Sequence, residues 1–304
     1  MEENIGRVRL DYQYYSGNDL YCDGEIEDEL LEIAKKYQSE TALNQVIFQR
    51  MKWPILYHFS HIRKNIVEWL PIKREETVLE IGAGCGAITG ALAKKAQMVT
   101  CVDLSKKRSM INAYRNQQYD NIKIFVGNYK DIEGHLEKYN YITLIGVLEY
   151  AELYMEDENA YIHLLKSVKE HLKDNGKLII AIENRLGLKY FAGCKEDHVG
   201  EYFKGIEGYS TTKGVKTFSK KELELFLHAC EFSAYRFFYP YPDYKFPTCI
   251  YSDDYLPKAG ELNNNIRNFD MERMLLFDES KVFDSLIENG LFPLFSNSFL
   301  VVAE

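Results

Sequence analysis

The sequence predicts an open α/β fold with a mostly parallel sheet, preceded by a helical extension. Two observations carry this. From Glu76 onward, short apolar runs alternate with amphipathic segments, the pattern of βα units that build a parallel sheet. One of these runs passes straight through a glycine-rich turn into a helical pattern, Val78-Leu79-Glu80-Ile81-Gly82-Ala83-Gly84-Cys85-Gly86-Ala87-Ile88-Thr89. The chain has 304 residues, 46% hydrophobic and 27% charged, enough to bury a sizeable core without disulfides or a structural metal.

Taken in order, residues 23–37 read as an amphipathic helix with Ile26, Leu30, Ile33 and Tyr37 on one face and acids crowding its first turn. A second helix is expected from Pro54 to Trp69, with Leu56, Phe59, Ile62, Ile66 and Trp69 as its stripe. Strands follow at 77–81, 98–102, 122–126, 141–145 and 177–182, with helices at 88–95, 106–117 and 158–171 between them. Ser219, with Glu222 three residues on, caps a helix over 220–230. Strands at 233–239 and 298–303 close the chain. The expected organisation is an N-terminal helical cap over 1–72 and a main domain over 73–304. Two stretches, about 185–217 and 241–292, do not fit the alternation and read as insertions. The first leaves the end of the fifth strand, where insertions overlie the ligand crevice of an open α/β sheet. The second either covers substrate or joins two subunits.

Composition narrows the function. A formal net charge of −9 argues against a nucleic-acid partner. No run reaches the roughly 20 apolar residues of a membrane span, and the acidic, aromatic N-terminal text is not a signal peptide. The six cysteines, Cys22, Cys85, Cys101, Cys194, Cys230 and Cys249, are scattered without paired spacing, which favours reduced thiols in a cytoplasmic protein over disulfides or zinc. The 23 Tyr and 17 Phe serve either core packing or an aromatic-lined pocket.

The glycine turn has two readings. Gly82, Gly84 and Ala87, with Asp103 21 residues after Gly82, satisfy the dinucleotide fingerprint. The Gly-x-Gly-x-Gly spacing, the acid Glu80 two residues before the first glycine and the terminal pair of strands point elsewhere.

Those features resemble the class I S-adenosylmethionine (SAM)-dependent methyltransferases. Leu79–Gly86 matches that superfamily's first motif, and Asp103 its ribose-binding acid. Gly127-Asn128-Tyr129 matches the adenine-contacting third motif, Ile145–Tyr150 the fourth, and Leu172–Ile180 the turn and fifth strand that follow. The match runs in order over residues 76–183. It implies a Rossmann-like, seven-stranded, mostly parallel sheet. It also implies SAM as cofactor and S-adenosylhomocysteine as product, held by Glu80, Gly82, Ala83, Gly84, Gly86, Asp103, Leu104, Asn128, Tyr129 and Gly146. Tyr57 and Arg63, on the helix before the first strand, are placed by the same resemblance at the methionine end. Asn128 departs from the usual acid of the third motif, and its side-chain carbonyl is the remaining acceptor there.

Residues 14–19, 23–30 and 182–193 further resemble methyltransferases found with glycosyltransferases in bacterial surface-polysaccharide or secondary-metabolite clusters, which suggests a sugar-like or small anionic acceptor. The acceptor side is expected to use His198 as general base, because imidazole titrates near neutrality, with Glu149 and Tyr150 at the end of the fourth strand. No Asp/Asp/Asn metal set is evident, so no metal is expected. Residues 185–221 carry Arg185, Lys189, Lys195, Lys204, Lys213, Lys216, Lys220 and Lys221 against Glu196, Asp197, Glu201 and Glu207, a surplus of +4. That surplus is either a solvated face or a site for an anionic acceptor. Two alternatives stay open: an RNA methyltransferase, although the Asn-Leu-Pro-Tyr text of rRNA adenine dimethylases is missing, and a non-catalytic SAM-binding partner protein.

Overall fold

Six strands belong to the first of two compact units, which comprises Met1–Leu144 and Glu170–Lys177. The computed structural model describes residues 1–19, 24–155, 159–210, 214–265 and 271–304. The strands are β1 (Glu2–Ile5), β2 (Val8–Asp11), β3 (Thr77–Ile81), β4 (Met98–Asp103), β5 (Ile122–Val126) and β6 (Tyr139–Ile145), side by side in the order β1-β2-β5-β4-β3-β6. From β2 to β6 every pairing is parallel, and β1 closes the edge as an antiparallel hairpin arm. The residues of β3, β4 and β5 are nearly all buried, as expected of parallel strands covered on both faces.

The N-terminal region is helical as expected, with two differences. A helix not anticipated, Glu40–Arg50, follows Ile26–Lys36. The single helix expected over 54–69 is three pieces: Trp53–Phe59, a 3-10 turn His61–Lys64, and Asn65–Glu68. The break is at Ser60, whose backbone is extended (ψ 130°) and whose hydroxyl accepts from the Ile62 N–H. Serine competes for nearby backbone groups in this way and so favours caps over helix interiors. Leu30, Ile33, Leu43, Val46, Ile55 and Phe59 pack with Cys85 of the glycine turn and Ile111 of the helix Lys106–Arg115. The N-terminal helices are thereby anchored to the turn that follows β3. A buried ion pair, Arg108 Nε to Glu27 Oε1 at 2.7 Å, ties the same helices together.

The second unit comprises Ile145–Lys169 and Leu178–Glu304. Here the final stretch of β7 (Leu172–Glu183) pairs antiparallel with β10 (Ser298–Ala303). β10 pairs in turn with β8 (Tyr235–Tyr241), and β8 with β9 (Cys249–Ser252). The last strand of the chain thus lies between β7 and β8. Ser219 and Glu222 form the expected capping box at the start of the helix Lys220–Ala229. The stretch 185–217 contains the short helix Leu188–Phe191, and 241–292 holds β9 and the helix Glu279–Glu288. All seven expected strands are present among the described residues, and β1, β2 and β9 are additional. No helix of the described residues is long and apolar enough to cross a membrane.

Candidate functional site

The glycine turn leaves β3 with Gly82, Gly84 and Gly86 all at positive φ. Two of them have different reasons to be glycine. A Cβ on Gly84 would meet no atom within 4 Å, so the backbone there is bare to approach. A Cβ on Gly86 would collide with the side chain of Asn112, at 2.6 Å from its Cγ, so that glycine serves helix packing. Ala83, between Gly82 and Gly84, is buried, its N–H and that of Gly82 directed at Val102 O.

Asp103 ends β4. Its Oδ2 accepts from the Gly84 N–H at 2.7 Å and its Oδ1 from the Ser105 N–H at 2.9 Å. Burial raises its pKa above the ordinary aspartate value despite those two bonds. Leu104 follows, half-buried. Asn128 caps the short helix Tyr129–Ile132, its side chain accepting from the Lys130 N–H at 3.1 Å, and Tyr129 is buried behind it. Glu80 is buried within β3, and burial lifts its carboxyl to about 7; Cys101 Sγ lies 3.5 Å from its Oε2.

Tyr57 and Arg63 come together even though their helix is broken. The Arg63 guanidinium stands 3.9 Å over the Tyr57 ring. Arg63 is 8% exposed, and neither its Nε nor its Nη1 has a hydrogen-bond partner among the described residues. His58 and His61 diverge: His58 is buried against Tyr57, and His61 Nδ1 meets Asn44 Oδ1 at 3.2 Å.

In the second unit, Glu149, Tyr150 and His198 converge. The Tyr150 hydroxyl and His198 Nδ1 are 3.0 Å apart. The other ring nitrogen, Nε2, lies 3.3 Å from Glu183 Oε2 and 3.9 Å from Glu149 Oε1. Both carboxylates are fully buried. Behind them stands an ion network: Lys245 Nζ is 2.8 Å from Glu183 Oε1 and 2.5 Å from Asp197 Oδ1, and Lys189 Nζ is 2.8 Å from Asp197 Oδ2. Glu196 holds the loop by accepting from the N–H groups of His198 and Val199 and from the Tyr209 hydroxyl. Burial opposes the charge on Glu183, but Lys245 and His198 outweigh it and hold that carboxyl well below the usual range. Burial likewise opposes imidazolium, yet Glu183 and Glu149 lift His198 to about 9. Glu149 is pushed up to about 8 by burial, with Glu183 adding to the push and His198 opposing it. Gly146, the first residue beyond β6, has φ 68° and donates its N–H to Ala181 O at 2.9 Å.

The cations of the 185–221 stretch are largely spent within this unit. Arg185 pairs with Glu222, Lys189 with Asp197, Lys204 with Glu201, Lys216 with Glu152 and Lys220 with Asp253. Lys195 lies over the Tyr202 ring. Lys213 and Cys22 lie outside the described residues.

Residues 79–178 match a protein family described as a methyltransferase domain. That stretch, about a third of the chain, is similar to a methyltransferase domain. The ribosomal RNA small subunit methyltransferase A of Syntrophus aciditrophicus is 33% identical over 98 residues, 32% of this chain and 32% of that protein. The rRNA adenine N-6-methyltransferase of Bacillus licheniformis is 33% identical over 92 residues, 30% of this chain and 31% of that one. The chain therefore spans about a third of the length of these curated relatives. A SAM dependent methyltransferase from Archaeoglobus fulgidus, known from its crystal structure, superposes with a TM-score of 0.51 over 83% of this chain and 99% of that one. At 13% identity, that likeness shows the fold.

The methyltransferase domain has residues that fit its cofactor. The bare backbone at Gly84 accommodates close approach. Each Asp103 oxygen accepts one hydrogen bond and has a second lone pair for a hydroxyl. The Arg63 Nε–H and Nη1–H are buried donors suited to a carboxylate. Sequence reasoning counted Lys189 only among the surplus cations of the 185–221 stretch and did not single out Glu183 or Lys245. Glu183 had a legible signal: it is an acid ending an otherwise apolar strand, as Asp103 does. The lysines had none, because Lys245 reaches Glu183 from 62 residues away.

Proposed function

We propose that this protein transfers a methyl group from SAM to an oxygen or nitrogen of a small metabolite. SAM, when bound, supplies an activated methyl on a sulfonium with a neutral leaving group. The chain's task is then alignment and exclusion of water. Gly82, Ala83, Gly84 and Gly86 form the backbone wall of the cofactor site, with Glu80 beneath it. Asp103 takes the ribose hydroxyls, Leu104, Asn128 and Tyr129 flank the base, and Gly146 belongs to the same set. Arg63, stacked on Tyr57, takes the carboxylate. Glu149, Tyr150 and His198 form the acceptor side, holding the hydroxyl or amine and directing its proton away from the reacting atom.

The observation that carries a small acceptor is the acceptor side itself: a buried cluster of acids and imidazole beside lysines already paired with acids. Nucleic-acid affinity comes mainly from free cations facing phosphates. The polysaccharide-cluster resemblance adds a sugar-like acceptor to this reading, and the buried free thiols of Cys85, Cys101, Cys194 and Cys230 suit a cytoplasmic location. A second reading, methylation of RNA, is favoured by the sequence relatives, which are methyltransferases of ribosomal RNA.

Calorimetric titration with SAM, S-adenosylhomocysteine and NAD tests the cofactor assignment: the first two bind and NAD does not. Cell extract supplied with methyl-labelled SAM then decides the acceptor. Label in the small-molecule fraction supports the proposal. Label confined to RNA replaces it with the second reading, and tight SAM binding without any transfer points to a non-catalytic partner protein.

A further inference from the structure

The cluster of Glu149, Glu183 and His198 has an unusual deficit. Glu149 is fully buried, and neither of its carboxylate oxygens has a hydrogen-bond partner among the described residues. A buried carboxylate with no donor is costly, and native structures rarely leave one so. Its nearest polar neighbours make the deficit worse, since one is the Glu183 carboxylate.

The geometry points to a divalent metal site: we propose that Glu149, Glu183 and His198 bind a zinc- or manganese-like cation through one carboxylate oxygen each and the imidazole Nε2. One ligand atom from each residue lies within 4.8 Å of the others. Nε2 is 3.3 Å from Glu183 Oε2 and 3.9 Å from Glu149 Oε1. Metal bonds of about 2.0–2.2 Å place adjacent donor atoms roughly 3–3.6 Å apart, so contraction by a few tenths of an ångström, more for the widest pair, encloses an ion. The surroundings are those of a supported ligand set. Tyr150 engages the other imidazole nitrogen and fixes which face the ring presents, while Lys245 holds the second oxygen of Glu183. Asp197 in turn anchors Lys245 and Lys189. Two carboxylates and one imidazole suit zinc, manganese or ferrous iron and leave coordination positions for an oxygen of the acceptor. The site was invisible as a motif because its ligands are 34 and 15 residues apart and come from a post-strand turn, a strand end and a loop.

This deepens the proposed function only in sharing its acceptor-side residues, so it is tested without methyl transfer. The full chain, stripped with a chelator, is titrated with Mn²⁺ followed by electron paramagnetic resonance and with Zn²⁺ by calorimetry. SAM titration is run in parallel. The expected result is one equivalent of cation. Glu149→Gln and His198→Gln should each weaken it by about 100-fold or more, with unchanged SAM affinity. If Glu149→Gln does not fold, Tyr150→Phe keeps all three ligands and should weaken binding by about 10-fold while preserving stoichiometry. A wild-type chain that binds SAM but neither cation would overturn the metal site and leave the methyltransferase reading standing. Cation affinity indifferent to both ligand substitutions would overturn it equally. Cation binding without SAM binding would uphold it and count against the proposed function.

Discussion

Alanine at Gly84 and at Gly86 should separate cofactor binding from folding, although the two positions are two residues apart. Both sit at positive φ, 51° and 72°. A side chain in that region costs about 1–2 kcal/mol. Removing glycine's freedom from the unfolded chain returns about 0.4–1 kcal/mol. At Gly84 the new methyl meets no atom within 4 Å, so the net loss should be about 1 kcal/mol. At Gly86 the methyl overlaps Asn112 and reaches 2.8 Å from Asn116 Nδ2, which donates to Asn112 Oδ1 in a buried chain that continues to Thr89. Disrupting that chain adds about 1–3 kcal/mol, for a total of about 2–4 kcal/mol. Urea unfolding of the two variants should therefore rank Gly86→Ala well below Gly84→Ala. Calorimetry with SAM should show the opposite sensitivity: Gly84→Ala should bind at least about 10-fold more weakly, because the methyl fills the space a ligand needs. Wild-type SAM affinity in Gly84→Ala would refute the assignment of this turn as the cofactor wall.

Asp103→Ala should weaken SAM binding and also cost about 1–3 kcal/mol in denaturant unfolding, because it strands the N–H groups of Gly84 and Ser105. Arg63→Met should preserve packing on Tyr57 yet weaken SAM more than a decarboxylated SAM analogue; equal losses for both ligands would remove the carboxylate contact. Glu80 makes stability fall with pH. Its folded carboxyl titrates at about 7 against an ordinary 4.5, so the folded state holds the extra proton between those values. Stability is lost as pH rises through that window, by about 3 kcal/mol for this group, and is flat above it. Thermal unfolding of Glu80→Gln from pH 4.5 to 8 should show a shallower decline than wild type, and parallel curves would contradict the burial argument. Glu27→Ala leaves the Arg108 guanidinium buried without its carboxylate and should destabilise by about 3–5 kcal/mol in urea, while Glu27→Gln should recover part of that loss.

What was legible follows from the length scale of each signal. Strands β3 to β5 are mostly apolar runs because both their faces are covered, and such runs announce themselves. The helix Lys220–Ala229 was bounded by a serine and a glutamate three residues apart. The hairpin of β1 and β2 was missed because each arm has four residues and β1 buries only Ile5, too little to register as alternation. The helix Glu40–Arg50 buries only Leu43 and Val46, so its apolar stripe is narrow. Ser60 broke a helix whose hydrophobic spacing continued through it. At the site, residues adjacent to strand ends were readable, since strand ends are where chemistry gathers in this architecture. The ion network was not, because Lys189, Asp197, Asp243 and Lys245 meet through long-range folding, and a lysine in a charged loop reads as solvated until its partner is seen.

The hairpin carries a consequence for biogenesis. Arg9–Asp11 of β2 pair in parallel with Lys123–Phe125 of β5. Synthesis therefore releases β2 more than a hundred residues before β5 exists. Until then that edge of β2 is unpaired, and pairings so distant in sequence form late because loop closure precedes any reward. Once made, the hairpin shields β5, whose Ile-Lys-Ile-Phe-Val sequence would otherwise be a bare, apolar sheet border. Removing Met1–Asp11 would leave every proposed site residue in place and yet expose a template for edge-to-edge association with other chains. The hairpin's pairing with β5 thus bears on self-association rather than on the chemistry of the site.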